Sequence, residues 1–277
     1  MKLPKATPNN QLSGIKVLIF ALFSLCLLSS CTLSDILEGG SNSQISREDK
    51  IAMGLKEALK VGIEKTTDSL HQVNGYLGRK AIALILPDDV QKIFGYCKSL
   101  NTNPLLSSFL VKPLLKLEDS LLISLNRAAE LAAPRSLPIF SDAIRSLTIN
   151  DVMGIFRGDS VAATRHFQNE TSSQLITVYT PLIDSALARV SAVGIWEKFS
   201  TQYNSLVEEY NAIPLALRQE LGKPPTLTTN LSTYTTKKAM DGLFYMVGQQ
   251  EALIRKDPVA RVTDILKEVF GELDKTE

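Results

Sequence analysis

An all-α fold, as a single multi-helix globular domain, is what this sequence predicts, on three observations. From Ser46 to Gly271 apolar residues recur at three-four spacing, the period of a helix with one buried face. Residues with capping chemistry stand at the starts of those segments, and proline or glycine at many of their ends. The single stretch with strand character, Ala81-Ile-Ala-Leu-Ile-Leu86, has no evident partner and is read as extended chain.

Each element follows from local chemistry. Ser46 with Asp49 resembles a capping box, and Ile51, Leu55, Ala58, Leu59, Gly62 and Ile63 follow on one face. Val73-Asn-Gly-Tyr-Leu-Gly78 is turn-like. Pro87-Asp88-Asp89 opens a helix reaching about Ser99, since proline suits the first turn and acids there match the dipole. Residues 113–132 are the expected central helix. At about 100° per residue, Leu114, Leu117, Leu121, Leu125, Ala128 and Ala132 share a face, with Asp119, Asn126 and Glu130 nearly opposite. Pro134 ends it, and a short helix covers 138–147. Thr148-Ile-Asn-Asp151 is again box-like and opens a helix that Gly158 closes; Asp159 caps the next, over 160–169. Helical spacing over 175–193 passes through Pro181, which predicts a kink or a restart with Thr180 as cap. Helices follow over 196–210 and 232–256, separated by a linker-like stretch, 211–231, that holds Pro214 and Gly222-Lys-Pro-Pro225. Asp257-Pro258 caps and begins the last helix, which ends at Gly271.

The N-terminus carries an address. Lys2, Lys5 and Lys16 precede the unbroken apolar run Val17–Leu28, followed by Ser29-Ser30-Cys31. A basic flank, a short apolar core and small residues before a cut site describe a secretory signal peptide. The run is shorter than the roughly 20 residues a membrane-spanning helix needs. Leu28-Ser29-Ser30-Cys31 resembles the lipobox of bacterial lipoproteins. That resemblance implies a removed leader over 1–30 and acylation of Cys31; the alternative is an ordinary leader with a chance cysteine. Thr32, in place of an aspartate, implies by resemblance to Gram-negative lipoproteins the periplasmic side of the outer membrane. Residues 31–46, with Gly39-Gly40 and scattered serine and asparagine, have the composition of a flexible tether spanning roughly 20–25 Å. The helical domain then covers 47–277.

Composition narrows the function classes. The 277 residues are 44% hydrophobic and hold 30 basic against 29 acidic side chains, which excludes the basic excess of a nucleic-acid binder and the charge imbalance of a disordered chain. Three cysteines and two histidines build neither a disulfide framework nor a histidine-rich metal site. No phosphate loop, dinucleotide fingerprint, nucleophile elbow, H-E-x-x-H, C-x-x-C or EF-hand loop occurs. No cofactor is therefore expected.

What remains is a polar set on otherwise apolar helices: Asn126, Arg127 and Glu130; Asp142 and Arg145; Asp241, Glu251 and Arg255. Glu130 stands within side-chain reach of Asn126 and Arg127, and Glu251 and Arg255 form an i,i+4 pair. Two readings stay open: a carboxylate–guanidinium site for a polar or anionic ligand, or ion pairs that tie helices together.

Gly54-Leu-Lys-Glu-Ala-Leu59, Asn74-Gly-Tyr76, Asn126-Arg-Ala-Ala-Glu130, Asp142-Ala-Ile144, Lys238-Ala-Met-Asp-Gly-Leu-Phe244, Glu251, Asp257-Pro258 and Val269-Phe-Gly271 resemble, in that order, a bacterial family catalogued as domain of unknown function 4197. The resemblance covers roughly residues 50–272. It implies a helical body behind a lipoprotein or secretory leader and supplies no catalytic residues. His166 stands where the family tends to have tyrosine, and the stretch around 211–230 is longer than usual.

The expected function is that of a lipid-anchored periplasmic envelope protein with a non-catalytic binding or interaction role. Its expected partners are the membrane, through the acylated Cys31, and an envelope protein or lipid. Two alternatives remain: an envelope enzyme using the Glu and Asp side chains above, and a lipid carrier with a cavity between helices.

Overall fold

The computed structural model describes residues 45–101 and 110–271. The expected leader, the tether up to residue 44 and Cys31 lie outside the described residues. Among those residues there is no strand, and the chain is helical as its apolar periodicity dictates.

Helix α1 (Arg47–His71) begins where Ser46 accepts the backbone N–H of Asp49 at 3.0 Å. Helix α2 (Asp88–Leu100) starts behind Pro87 with two acids in its first turn. Two helices, α3 (Lys112–Leu115) and α4 (Glu118–Ala132), stand where one was expected over 113–132. The break comes at Lys116 and Leu117, where the Leu117 N–H turns back to the Leu114 carbonyl at 2.9 Å. Leu114 and Leu121 are both buried on either side of it. Helix α4 ends just before Pro134, as expected, and a 3₁₀ turn (Ala133–Ser136) leads on into α5 (Leu137–Ser146).

Helix α6 (Ile149–Phe156) carries the complete capping box: Thr148 and Asp151 each accept the other's backbone N–H. The two helices expected over 160–169 and 175–193 are one, α7 (Ala162–Arg189), running through Pro181. Thr180 does not cap a restart; its hydroxyl donates to the Ile176 carbonyl one turn back, inside the helix. Val190 and Ser191, the latter left-handed at φ 60°, make the corner into α8 (Ala192–Ala212). The linker-like stretch contains a short exposed helix, α9 (Leu215–Leu221). Helix α10 (Leu231–Lys256) is capped by Asn230, which accepts the Thr233 N–H at 2.9 Å. The final helix is also divided. Asp257 caps a 3₁₀ turn (Pro258–Ala260), and α11 (Asp264–Gly271) follows separately.

Helix α10 is the axis of the packing, flanked by α7 and α1; α4 packs on α7, and α1 also covers α5, α6 and α11. The core between them is continuous, with the Phe140 and Phe244 rings meeting edge to face at 5.6 Å and Phe94 against Phe199 at 5.1 Å.

Candidate functional site

The structure separates the predicted polar set into three places. One is built on Glu251. Helix α10 presents Glu251 and Arg255 one turn apart, both less than a tenth exposed. The N-cap position of α7 is Val161, whose side chain cannot accept a hydrogen bond. The Glu251 carboxylate does so instead: it accepts the N–H of Ala163 at 3.0 Å, the N–H of Thr164 at 2.9 Å and the Thr164 hydroxyl at 2.9 Å. Arg255 donates back to Glu251 at 2.9 and 3.1 Å and reaches the carbonyls of Ile155 and Phe156 at 3.0 and 3.3 Å. The anion thus meets the positive start of α7 and the cation the negative end of α6, satisfying donors and acceptors that helix ends leave open. The Phe270 ring covers the guanidinium at 5.9 Å.

The second place surrounds Glu130 and Asn126. Both lie on the side of α4 that the apolar periodicity assigns to the polar face, yet both are buried. The connector between α1 and α2 covers them. Glu130 accepts the backbone N–H of Tyr76 at 3.1 Å and of Leu77 at 3.4 Å, and is held by Arg127, which also reaches the Asn74 side chain at 3.1 Å. Asn126 acts as a substitute strand for the extended piece 83–86. Its carboxamide accepts the Leu84 N–H and donates to the Leu84 carbonyl, both at 2.8 Å.

The turn that feeds this connector is sterically tight. Asn74 is left-handed at φ 66°, and a Cβ on Gly75 would sit 2.0 Å from the Leu70 carbonyl oxygen. It delivers Tyr76 into the core, where its hydroxyl donates to the Ala239 carbonyl on α10 at 2.8 Å. A Cβ on Gly242, one turn on, would come within 2.7 Å of that ring. Burial, with Tyr179 and Glu130 nearby, holds the Tyr76 hydroxyl well above the usual phenol range.

The third group is not buried. Asp142 and Arg145 pair with each other at 2.8 Å on the exposed face of α5, and Asp241 is exposed on α10. Asn126, Arg127 and Glu130 therefore come together, as do Glu251 and Arg255, whereas Asp142, Arg145 and Asp241 join neither group.

Several residues do comparable work without having been singled out for it. Arg261, buried, donates to the carbonyls of Ile254 and Arg255 at 3.0 and 2.8 Å, where α10 ends. Lys56 reaches the Leu147 carbonyl at 3.0 Å. Asp89 accepts the backbone N–H groups of Thr228 and Thr229 at 2.7 and 2.8 Å and both their hydroxyls, tying the segment before α10 to the start of α2. Of these only Asp89 carried a local signal, as an acid at the start of α2; Arg261 and Lys56 reveal themselves by which carbonyl lies opposite.

Among the described residues no three His, Cys, Asp or Glu side chains are grouped to hold a metal ion, and no helix is long and apolar enough to cross a membrane. The void beside Glu251 and Arg255, lined by Leu55, Leu59, Val247 and Phe270, holds about 10 Å³, room for about one water.

In comparison with known proteins, the family model described as "Protein of unknown function (DUF4197)" matches residues 45–271. No curated protein and no solved structure matches the chain.

Proposed function

The chain belongs to the DUF4197 family, and from that premise we propose a lipid-anchored envelope protein whose helical body binds or assembles with a partner without catalysis. The observation that carries the second half is the state of the two buried carboxylates. Glu130 and Glu251 both accept backbone N–H groups and both hold an arginine. A carboxylate whose oxygens are already taken up by backbone N–H groups and a guanidinium serves the packing of helices and offers no open lone pair to a reacting group, as a general acid or base must. The void between helices beside Glu251 and Arg255, about 10 Å³, is too small to enclose an acyl chain, which needs hundreds.

The anchor rests on the leader. A basic flank, an apolar run and Leu28-Ser29-Ser30-Cys31 favour transfer of a diacylglyceryl group to the Cys31 thiol and cleavage before it. Two or three acyl chains hold a protein on a bilayer effectively for good, at about 0.8 kcal/mol per buried CH₂. With Thr32 next, the reading places the protein on the periplasmic face of a Gram-negative outer membrane.

The test is labelling with palmitate in cells. Wild type and Cys26→Ser should incorporate label and fractionate with outer membrane, and Cys31→Ser should do neither. Label that survives Cys31→Ser overturns the anchor. Native mass spectrometry of the detergent-extracted protein tests the binding role: a bound partner supports it, and turnover of an envelope component by the purified protein overturns it.

A further inference from the structure

Among the described residues a long groove runs between α5 and α7. Its larger part, about 670 Å³, has an apolar floor of Pro138, Ile139, Ala143, Leu175 and Val178. Its smaller part, about 340 Å³, continues past Ala143 and Ser146 to Leu147 and Phe167. From His166 to Val178 the α7 wall is about 18 Å long, three turns of helix. Val178 is 53% exposed, although its neighbours Leu175 and Tyr179 are buried.

The charged groups lining it are of one sign. Asp142, Asp151 and Glu170 are there with His166, and among the described residues no lysine or arginine lines either part. Asp142 is balanced by Arg145, Asp151 is turned to the Thr148 cap, and Glu170 is exposed; Lys56 and Arg165 are engaged with the Leu147 carbonyl and with Asp159.

An apolar floor with an acidic rim favours one class of occupant. We infer that the groove docks an amphipathic helix from a partner protein, its apolar face on Ile139, Ala143 and Val178 and its lysines or arginines toward Asp151 and Glu170. Anionic lipid headgroups meet like charge there, and a polar peptide leaves the floor wet. This inference rests on the interaction role proposed above but not on the anchor.

The test uses the chain without its leader, since residues from Ser46 onward form a compact unit of their own. The probes are two fluorescein-labelled amphipathic peptides of about 14 residues, enough to span the groove. One is built of leucine and lysine, the other of leucine and glutamate, and binding is followed by fluorescence anisotropy. The leucine–lysine peptide should bind saturably and at least about tenfold more tightly than its acidic counterpart. Val178→Lys and Glu170→Lys, both at exposed positions, should each weaken it by about tenfold or more with an unchanged circular dichroism spectrum.

Equal binding of the two peptides, or binding that survives both substitutions, overturns the inference. So does concentration-dependent dimerisation abolished by Val178→Lys, which makes the occupant a second copy of the chain. Failure here leaves the interaction role standing, because that role is tested separately by what co-purifies with the full-length protein.

Discussion

The carboxylate of Glu251 accepts the backbone N–H of Thr164 at 2.9 Å, across 87 residues of chain, and so caps a helix to which it does not belong. Local caps such as Ser46 and Thr148 are supplied by their own segments. At α7 the local position is Val161, and the acceptor comes from the end of α10.

Removing that acceptor should be costly. Glu251→Ala leaves Arg255 buried without its anion and the Ala163 and Thr164 N–H groups open, a loss of about 3–5 kcal/mol. Arg255→Met on that background should recover part of it. Urea unfolding of the four proteins in the cycle measures the coupling; additive losses would show that the two side chains do not act as a pair.

Asn126→Leu should cost about 1–3 kcal/mol for each Leu84 backbone group it strands in the core. Hydrogen exchange reads this locally. The Leu84 amide should lose protection in the variant while amides in the middle of α10 keep theirs, and unchanged protection at Leu84 would contradict the assigned role.

Asp89 makes the fold acid-sensitive. Its partial burial raises the carboxyl pKa, but the bonds donated by Thr229 and Thr228 outweigh this and hold it below the ordinary value. A carboxyl lowered in the folded state contributes stability above its unfolded pKa, about 3.9, and loses it as the pH falls through the folded value. Asp89→Asn should therefore be less stable than wild type at pH 6, and the gap should narrow below about pH 4. A gap of constant size down to pH 3 would rule this out.

Cys97 should be inert. Burial, aided by Glu118, pushes its thiol up to about 11, so at pH 8 only about one molecule in a thousand carries the thiolate. A thiol reagent should label the protein at Cys97 only as fast as it unfolds. Rapid labelling of the native protein at pH 8 would mean that the α2 face opens.

The helices and the capped starts at Ser46 and Thr148 were legible because each depends on residues a few positions apart. The second buried face of α4 was not. Its periodicity points Leu121, Leu125 and Ala128 to the core and Asn126 and Glu130 to solvent, and nothing local announces that the backbone of 76–84 will lie over those two. Their polarity answers the N–H groups of Tyr76, Leu77 and Leu84. The unity of α7 was hidden for the opposite reason. Glu170, Ser173 and Gln174 are exposed, so apolar spacing lapses for more than a turn in the middle of one helix. Asp257-Pro258 was legible as a cap, but its helix stops after one 3₁₀ turn, where Arg261 folds back on the end of α10. Of the polar set, the pairing of Glu251 with Arg255 and of Arg127 with Glu130 could be foreseen from spacing; what each pair grips could not.

The Glu251–Arg255 pair also sets the rotational phase of α10. Both side chains must face the 156–163 corner at once, the anion toward one helix end and the cation toward the other. A slip of one residue turns a helix by about 100° and would carry both charges away from their partners. Apolar neighbours such as Val247 and Ile254 tolerate some sliding; a pair of opposite charges between opposite helix ends does not. The clamp therefore acts as a key that admits α10 in a single register, rejecting near-native packings that hydrophobic contact alone would leave close in energy.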